Sequence, residues 1–293
     1  MVTAEMPVIR DLIWERNEHW LLRLTLGMRH LNLLLVSFLA CLPALSQSMG
    51  SNDEMLSKTR GLYDAPLTRQ LVSFDCAVQF DWKRHFINTL GTVPSAALPT
   101  VNRLQSLSHR VFVDRSGAVV SEIPSATDLS GTPHASDLEA TLQAIVSSGL
   151  NAWLPFATNV ILPVKPTTFT FQPVDAGFRV VMKGANVSAT LNLLPDMRIT
   201  SVISELPQPQ HFATEFTTGP NGYLIQSVKT GSRAEAQTSW DAIFAYRYQN
   251  IQGFQLPAEV VVTQVATGEK WDYSLDDCKA MTGTVLNVQA PKK

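Results

Sequence analysis

The sequence predicts an α+β domain built mainly from an antiparallel β-meander with one apolar face, and three observations carry that prediction. Between residues 167 and 278, short runs alternate apolar and polar side chains, the period of strands that show opposite faces to core and water. Breaks rich in glycine, proline and asparagine separate the runs at hairpin spacing. Ahead of them, residues 136–156 repeat their apolar positions at helical spacing instead.

The N-terminal part reads as an export signal. Residues 28–46 (MRHLNLLLVSFLACLPALS) have the layout of a secretory signal peptide: Arg29 and His30 form a basic start, 33–42 an apolar core, and Ala44-Leu45-Ser46 a small-x-small end. Cleavage is expected between Ser46 and Gln47, leaving 47–293 as a single domain. The apolar core is too short for a permanent bilayer-crossing helix, so the mature chain carries no predicted membrane span. Residues 1–27 read as an extension upstream of a true start at Met28, with a mixed-charge cytoplasmic extension as the rival view. Phe38-Leu39-Ala40-Cys41 is distantly similar to a bacterial lipobox, in which Cys41 would be lipidated and anchor the chain. The residues before Ala40 are bulky for that box, which favours removal of Cys41 with the signal.

Export leaves two cysteines, Cys76 and Cys278. Outside the cytoplasm a pair of thiols tends to oxidise, so a disulfide is expected; two separate buried thiols are the alternative. Cys76 lies in the alternating strand Leu71–Phe80 and Cys278 closes the last run of the meander. The bond would tie first strand to last and contribute about 4–5 kcal/mol in the chain-entropy model.

In chain order, Ser51 and Glu54 have capping-box spacing and predict a short helix before the Cys76 strand. Asp81 breaks the alternation, and Trp82, Phe86 and Leu90 fit one face of a second brief helix. Residues 91–99 and 124–133 are rich in Ser, Thr, Pro and Gly and read as loops. Residues 109–122 read as a hairpin turning at Arg115-Ser116-Gly117, with Val111 and Val113 facing Val119. The main helix opens on a second capping box, Ser136 with Glu139. Leu138, Leu142, Ile145, Gly149, Trp153 and Phe156 share one face, and Ala144, Val146, Leu150 and Leu154 extend apolar character round the rest. Such a helix either sits deep between layers or covers a hydrophobic cleft. Pro155 is expected to kink or end it.

Within the meander, Phe178, Val180 and Met182 form the apolar side of one strand, and Val187, Ala189, Leu191 and Leu193 that of the next. Met197, Ile199 and Ile203 follow, then Phe212 and Phe216, then Tyr223 and Ile225. Trp240, Ala242, Phe244, Tyr246 and Tyr248 precede Leu256, Ala258, Val260 and Val262, and Trp271, Tyr273 and Leu275 come last. Turns are expected at 175–177, 184–186, 195–196, 207–209, 219–222, 231–232, 252–253 and 267–268.

Of the 293 residues 45% are hydrophobic and 16% charged, with a formal net charge of −2. That balance gives no electrostatic pull toward nucleic acid or an anionic membrane. The usual catalytic elbows, zinc-protease helices, phosphate loops and dinucleotide fingerprints are absent, so neither an enzyme nor a cofactor is expected. The histidines of the mature chain, His85, His109, His134 and His211, are too scattered for a metal pair and are expected to be exposed or locally hydrogen-bonded. Asp276-Asp277 reads as a solvated strand end, and the strip Trp240, Phe244, Tyr246, Tyr248 as core.

An export signal, a helix, a strand, a large apolar helix and a long meander together resemble the periplasmic lipoprotein carriers LolA and LolB and related half-barrel lipid carriers. The phrase Tyr246-x-Tyr248 through Gly253-Phe254-Gln255-Leu256-Pro257 to Val260 is similar to a late-strand segment of such proteins, and Phe74-Asp75-Cys76 to Asp81-Trp82-Lys83 to secreted bacterial proteins of this layout. The resemblance implies a half-open barrel whose apolar concave face is covered by helices and takes a hydrophobic small molecule or a lipoprotein acyl chain. In that arrangement Leu142, Trp153 and Phe156 of the helix and Phe178, Met182, Leu191, Trp240, Phe244, Val260 and Trp271 of the sheet would line the cavity. Three readings stay open: an exported, periplasmic or extracellular binder of lipid; an envelope interaction module whose helix and sheet seal an ordinary core; and, behind these, a hydrolase whose site is built from scattered residues that form no motif.

Overall fold

A computed structural model describes residues 51–93, 95–122, 135–163, 168–184, 187–205, 210–234 and 237–283. The predicted extension 1–27, the signal peptide 28–46 with Cys41, the loop 124–133, His134 and the turn centres at 185–186 and 207–209 lie outside the described residues.

The first helix, α1 (Asn52–Gly61), starts as its capping residues predict, with the Ser51 hydroxyl accepting from the Glu54 amide at 3.2 Å. Strand β1 (Leu71–Phe80) leads into α2 (Trp82–Leu90), which Asp81 caps by accepting from the Arg84 amide at 3.0 Å. A third helix, α3 (Leu98–Gln105), precedes the hairpin β2 (His109–Asp114) and β3 (Gly117–Glu122). The long helix α4 runs Ala135–Ala157. Then come β4 (Thr168–Val174), β5 (Gly177–Gly184), β6 (Val187–Leu193), β7 (Ile199–Ser204) and β8 (Gln210–Gly219). The longest strands close the chain: β9 (Gly222–Ala234), β10 (Gln237–Ile251), β11 (Phe254–Gln264) and β12 (Lys270–Thr282).

All twelve strands join one antiparallel sheet in the order β3-β2-β1-β12-β11-β10-β9-β8-β7-β6-β5-β4. The meander from β4 returns its last strand to β1, and the curled sheet stays unclosed, with β3 and β4 as its two edges. Helices cover its apolar concave face, the predicted half-open barrel. Cys76 and Cys278 form the expected disulfide, across a β1–β12 pairing that slips register between Asp75 and Ala77. Asp277, next to the bond, adopts φ 45°, and its carboxylate meets Arg110 at 3.0 Å.

Several expectations are corrected. The loop predicted to end at 99 instead runs into α3, because a proline in the first helical turn loses no hydrogen bond and marks a start. Val119 pairs with Phe112 and is 64% exposed, while Val111 faces Val120. The buried side of α2 is Trp82 and His85, packed edge-on and tilted against Phe80 and Trp271, whereas Leu90 is 56% exposed. A register slip between Asn192 and Leu193 shifts the phase of β7, so Val202, between Leu191 and Phe212, takes the core position expected of Ile203. Gly231 is no turn: it lies inside β9, where a Cβ would collide with the Ser239 carbonyl of β10. Ser136 falls inside the first turn of α4 instead of capping it. His85 and His109 are buried, each beside a carboxylate, Glu269 at 3.6 Å and Glu139 at 3.3 Å.

Candidate functional site

The middle of α4 is clamped onto the sheet. Gly149 stands at the closest approach, where an added Cβ would collide with the Tyr273 hydroxyl and lie 3.2 Å from Val260. Two tyrosines reach up from the sheet to the helix backbone: Tyr246 donates to the Gly149 carbonyl at 2.8 Å and Tyr273 to the Val146 carbonyl at 3.3 Å. Tyr248 donates to the Ile225 carbonyl at 2.6 Å and accepts from Trp153. Burial drives all three phenols far above their ordinary pKa, so they remain protonated donors. Leu142, Val146, Leu150 and Trp153 complete this contact with Val260 and Tyr273, all in one buried cluster. Here helix and sheet are sealed.

A second apolar cluster fills the other wing of the sheet. Met55 and Leu56 of α1, with Tyr63 and Leu162, pack on Phe171, Val180, Leu191 and Val202. Tyr63 fixes the arrangement by donating to the Met197 carbonyl at 3.1 Å and accepting from the Ile199 amide at 2.7 Å.

Both sheet edges are met by a helix asparagine. Asn151 of α4 accepts from the Ala118 amide of β3 at 3.0 Å. Asn52 of α1 accepts from the Phe171 amide of β4 at 3.4 Å and donates to the Phe169 carbonyl at 3.5 Å. Edge groups satisfied in this way are unavailable to another strand.

Between the two clusters lies a groove of about 620 Å³. Its helical wall is Ser148, Asn151, Ala152, Pro155 and Phe156, followed by Ile161. Its floor is Val202 of β7, Gln210 and Phe212 of β8, Thr230, Gly231 and Ser232 of β9, and Asp241 and Phe244 of β10. Short side chains line it on both sides, Ser148 and Ala152 on the helix and Thr230 and Gly231 on the sheet, and none is long enough to fill it. A larger hollow of about 750 Å³ beside α2 is polar, and its arginines are already paired, Arg84 with Asp272 at 3.2 Å and Arg247 with Glu259 at 3.0 Å.

Of the ten residues read from the sequence as cavity lining, Phe156 and Phe244 border the groove. Leu142, Trp153, Val260 and Trp271 lie in the sealed cluster. Met182 and Leu191 lie in the second cluster with Phe178 at its margin, and Trp240 sits beside His211 with ring centroids 4.9 Å apart. The wall residues Ala152 and Pro155 and the floor residues Val202, Gln210 and Asp241 escaped sequence reading, although Phe212 carried a usable signal in its alternation. Among the described residues, no three His, Cys, Asp or Glu side chains converge as metal ligands. No helix among them is long and apolar enough to cross a membrane.

No protein-family model matches the chain. No curated protein matches it either. The chain has a low similarity to two solved structures. One is a domain provisionally assigned as an outer membrane lipoprotein-sorting protein of Vibrio parahaemolyticus, at 9% identity and a TM-score of 0.26, covering 80% of this chain and 94% of the other. The second is a LolA superfamily protein of Nitrosomonas europaea, at 10% identity and a TM-score of 0.29, covering 79% of this chain and 94% of the other.

Proposed function

We propose that this chain is an exported, non-enzymatic binder or carrier of a lipid, or of the acyl chain of a lipoprotein, in the bacterial cell envelope. The groove between α4 and β7–β10 carries this reading. Its volume of about 620 Å³ falls within the range of about 300–1,000 Å³ typical of small-molecule sites. Phe156, Ile161, Val202, Phe212 and Phe244 supply an apolar lining suited to a hydrocarbon tail. The disulfide suits an oxidising compartment, and the signal peptide read at 28–46 supplies the route there. The second reading, an envelope interaction module with a closed core, is favoured by the tight contact at Gly149. Native mass spectrometry of the protein purified from a bacterial envelope separates the two. A mass shift of one lipid, recovered by organic extraction, is expected; a bare mass with no extractable lipid would favour the closed module.

A further inference from the structure

The groove is polarised along its length. On α4, Ser148 and Asn151 stand at one end and Pro155 and Phe156 at the other. The sheet repeats the order: Gln210 precedes Phe212 on β8, Ser232 follows Thr230 on β9, and Asp241 precedes Phe244 on β10. Neighbouring strands are antiparallel and Gln210 pairs with Ser232; Asp241, between the pairs Trp240–Gly231 and Ala242–Thr230, stands level with Phe212 and nearer this end of the sheet than Phe244. The contact of Phe156 with Phe216, ring centroids 5.8 Å apart, fixes the helix in the same sense, because Phe216 lies further along β8 from Gln210. Asp241 reaches this end through a register slip between Trp240 and Ala242, which takes it out of strict alternation. It is exposed, and among the described residues it is the one charged side chain that lines the groove.

Resting on the lipid-binding reading above, we infer that the groove takes an amphiphile tail-first, with its head at the Gln210–Ser232–Asp241 end, and that Asp241 selects uncharged or cationic heads over anionic ones. The amide of Gln210 and the hydroxyls of Ser232 and Thr230 serve an uncharged polyol or amine. An anionic head would stand against the Asp241 carboxylate with no lining cation among the described residues to offset it.

The test is competition against a fluorescent monoacylglycerol by two ligands of identical tail, monopalmitoylglycerol and palmitate, at low and high salt, with the wild-type chain and the variants Asp241→Asn and Asp241→Lys. The wild type is expected to prefer the glycerol ester by about tenfold at low salt, with the preference shrinking as salt screens the repulsion. D241N should abolish the preference and D241K should reverse it. Equal competition by both ligands in the wild type, or a preference that D241N leaves intact, overturns head selection while leaving lipid binding standing. Failure of the wild type to bind the fluorescent monoacylglycerol overturns the lipid-binding reading and this inference with it.

Discussion

The two halves of α4 meet the same apolar sheet face and end in opposite states. Around Gly149 the helix touches the sheet: a missing side chain lets the backbones approach, and Tyr246 and Tyr273 bond the helix carbonyls. A turn later, short side chains on both surfaces, Ala152 on the helix and Thr230 and Gly231 on the sheet, line a groove. Hydrophobic alternation is common to both places. What separates them is local size matching and the tyrosine hydroxyls, so apolarity by itself does not tell a sealed core from an open groove.

Cutting the covalent tie of the sealed half should have the largest effect. The disulfide closes a loop of sequence separation 202, and the double variant Cys76→Ser/Cys278→Ser is expected to lose about 5 kcal/mol in urea unfolding, near the top of the range for native bonds. A loss close to zero would mean that β1 and β12 hold together through their backbone ladder alone. Next in size, Gly149→Leu should destabilise by about 3 kcal/mol through overpacking against Tyr273 and Val260, whereas Ala152→Trp, facing the groove, should cost less than about 1 kcal/mol. Equal losses from the two would erase the contrast between the halves. Tyr246→Phe and Tyr273→Phe remove one hydrogen bond each and are expected to cost about 1 kcal/mol apiece by thermal unfolding.

The smallest effect is a pH dependence confined to the sealed half. Burial lowers the pKa of His85 below 6.5, outweighing the opposite pull of Glu269. The unfolded chain therefore takes up this proton first as pH falls. The contribution of neutral His85 to stability is complete above pH 6.5 and is lost as pH drops toward the folded value. Replacing it by Gln should flatten the denaturation midpoint over that interval; an unchanged slope would assign the dependence to other groups.

Much of this fold was legible because strand and cap signals are local. Ser51 caps the helix it was expected to cap, a brief helix follows the break at Asp81, and the strand Leu71–Phe80, the hairpin at 109–122 and the Cys76–Cys278 disulfide stand where they were expected. Departures trace to β-bulges and close approaches, which no single-strand pattern encodes. The slip beside Leu193 moved Val202 into the core, and Gly231, glycine-rich by the look of a turn, serves the approach of β10. The groove was less legible than the sheet. Its walls are set by small residues such as Ala152 and by polar ones such as Asp241, which leave no hydrophobic trace, while large apolar residues such as Trp153, Val260 and Trp271 are taken up by the sealed core.

The central claim, that the space beside Ala152 holds an acyl chain, is tested most directly by titrating a fluorescent monoacylglycerol into the wild type and the Ala152→Trp variant. Saturable binding of one probe per chain is expected for the wild type, and its loss in A152W with the melting temperature lowered by no more than about 4 °C. Wild-type protein that takes up no probe, or A152W that binds it as well as the wild type, would contradict the account.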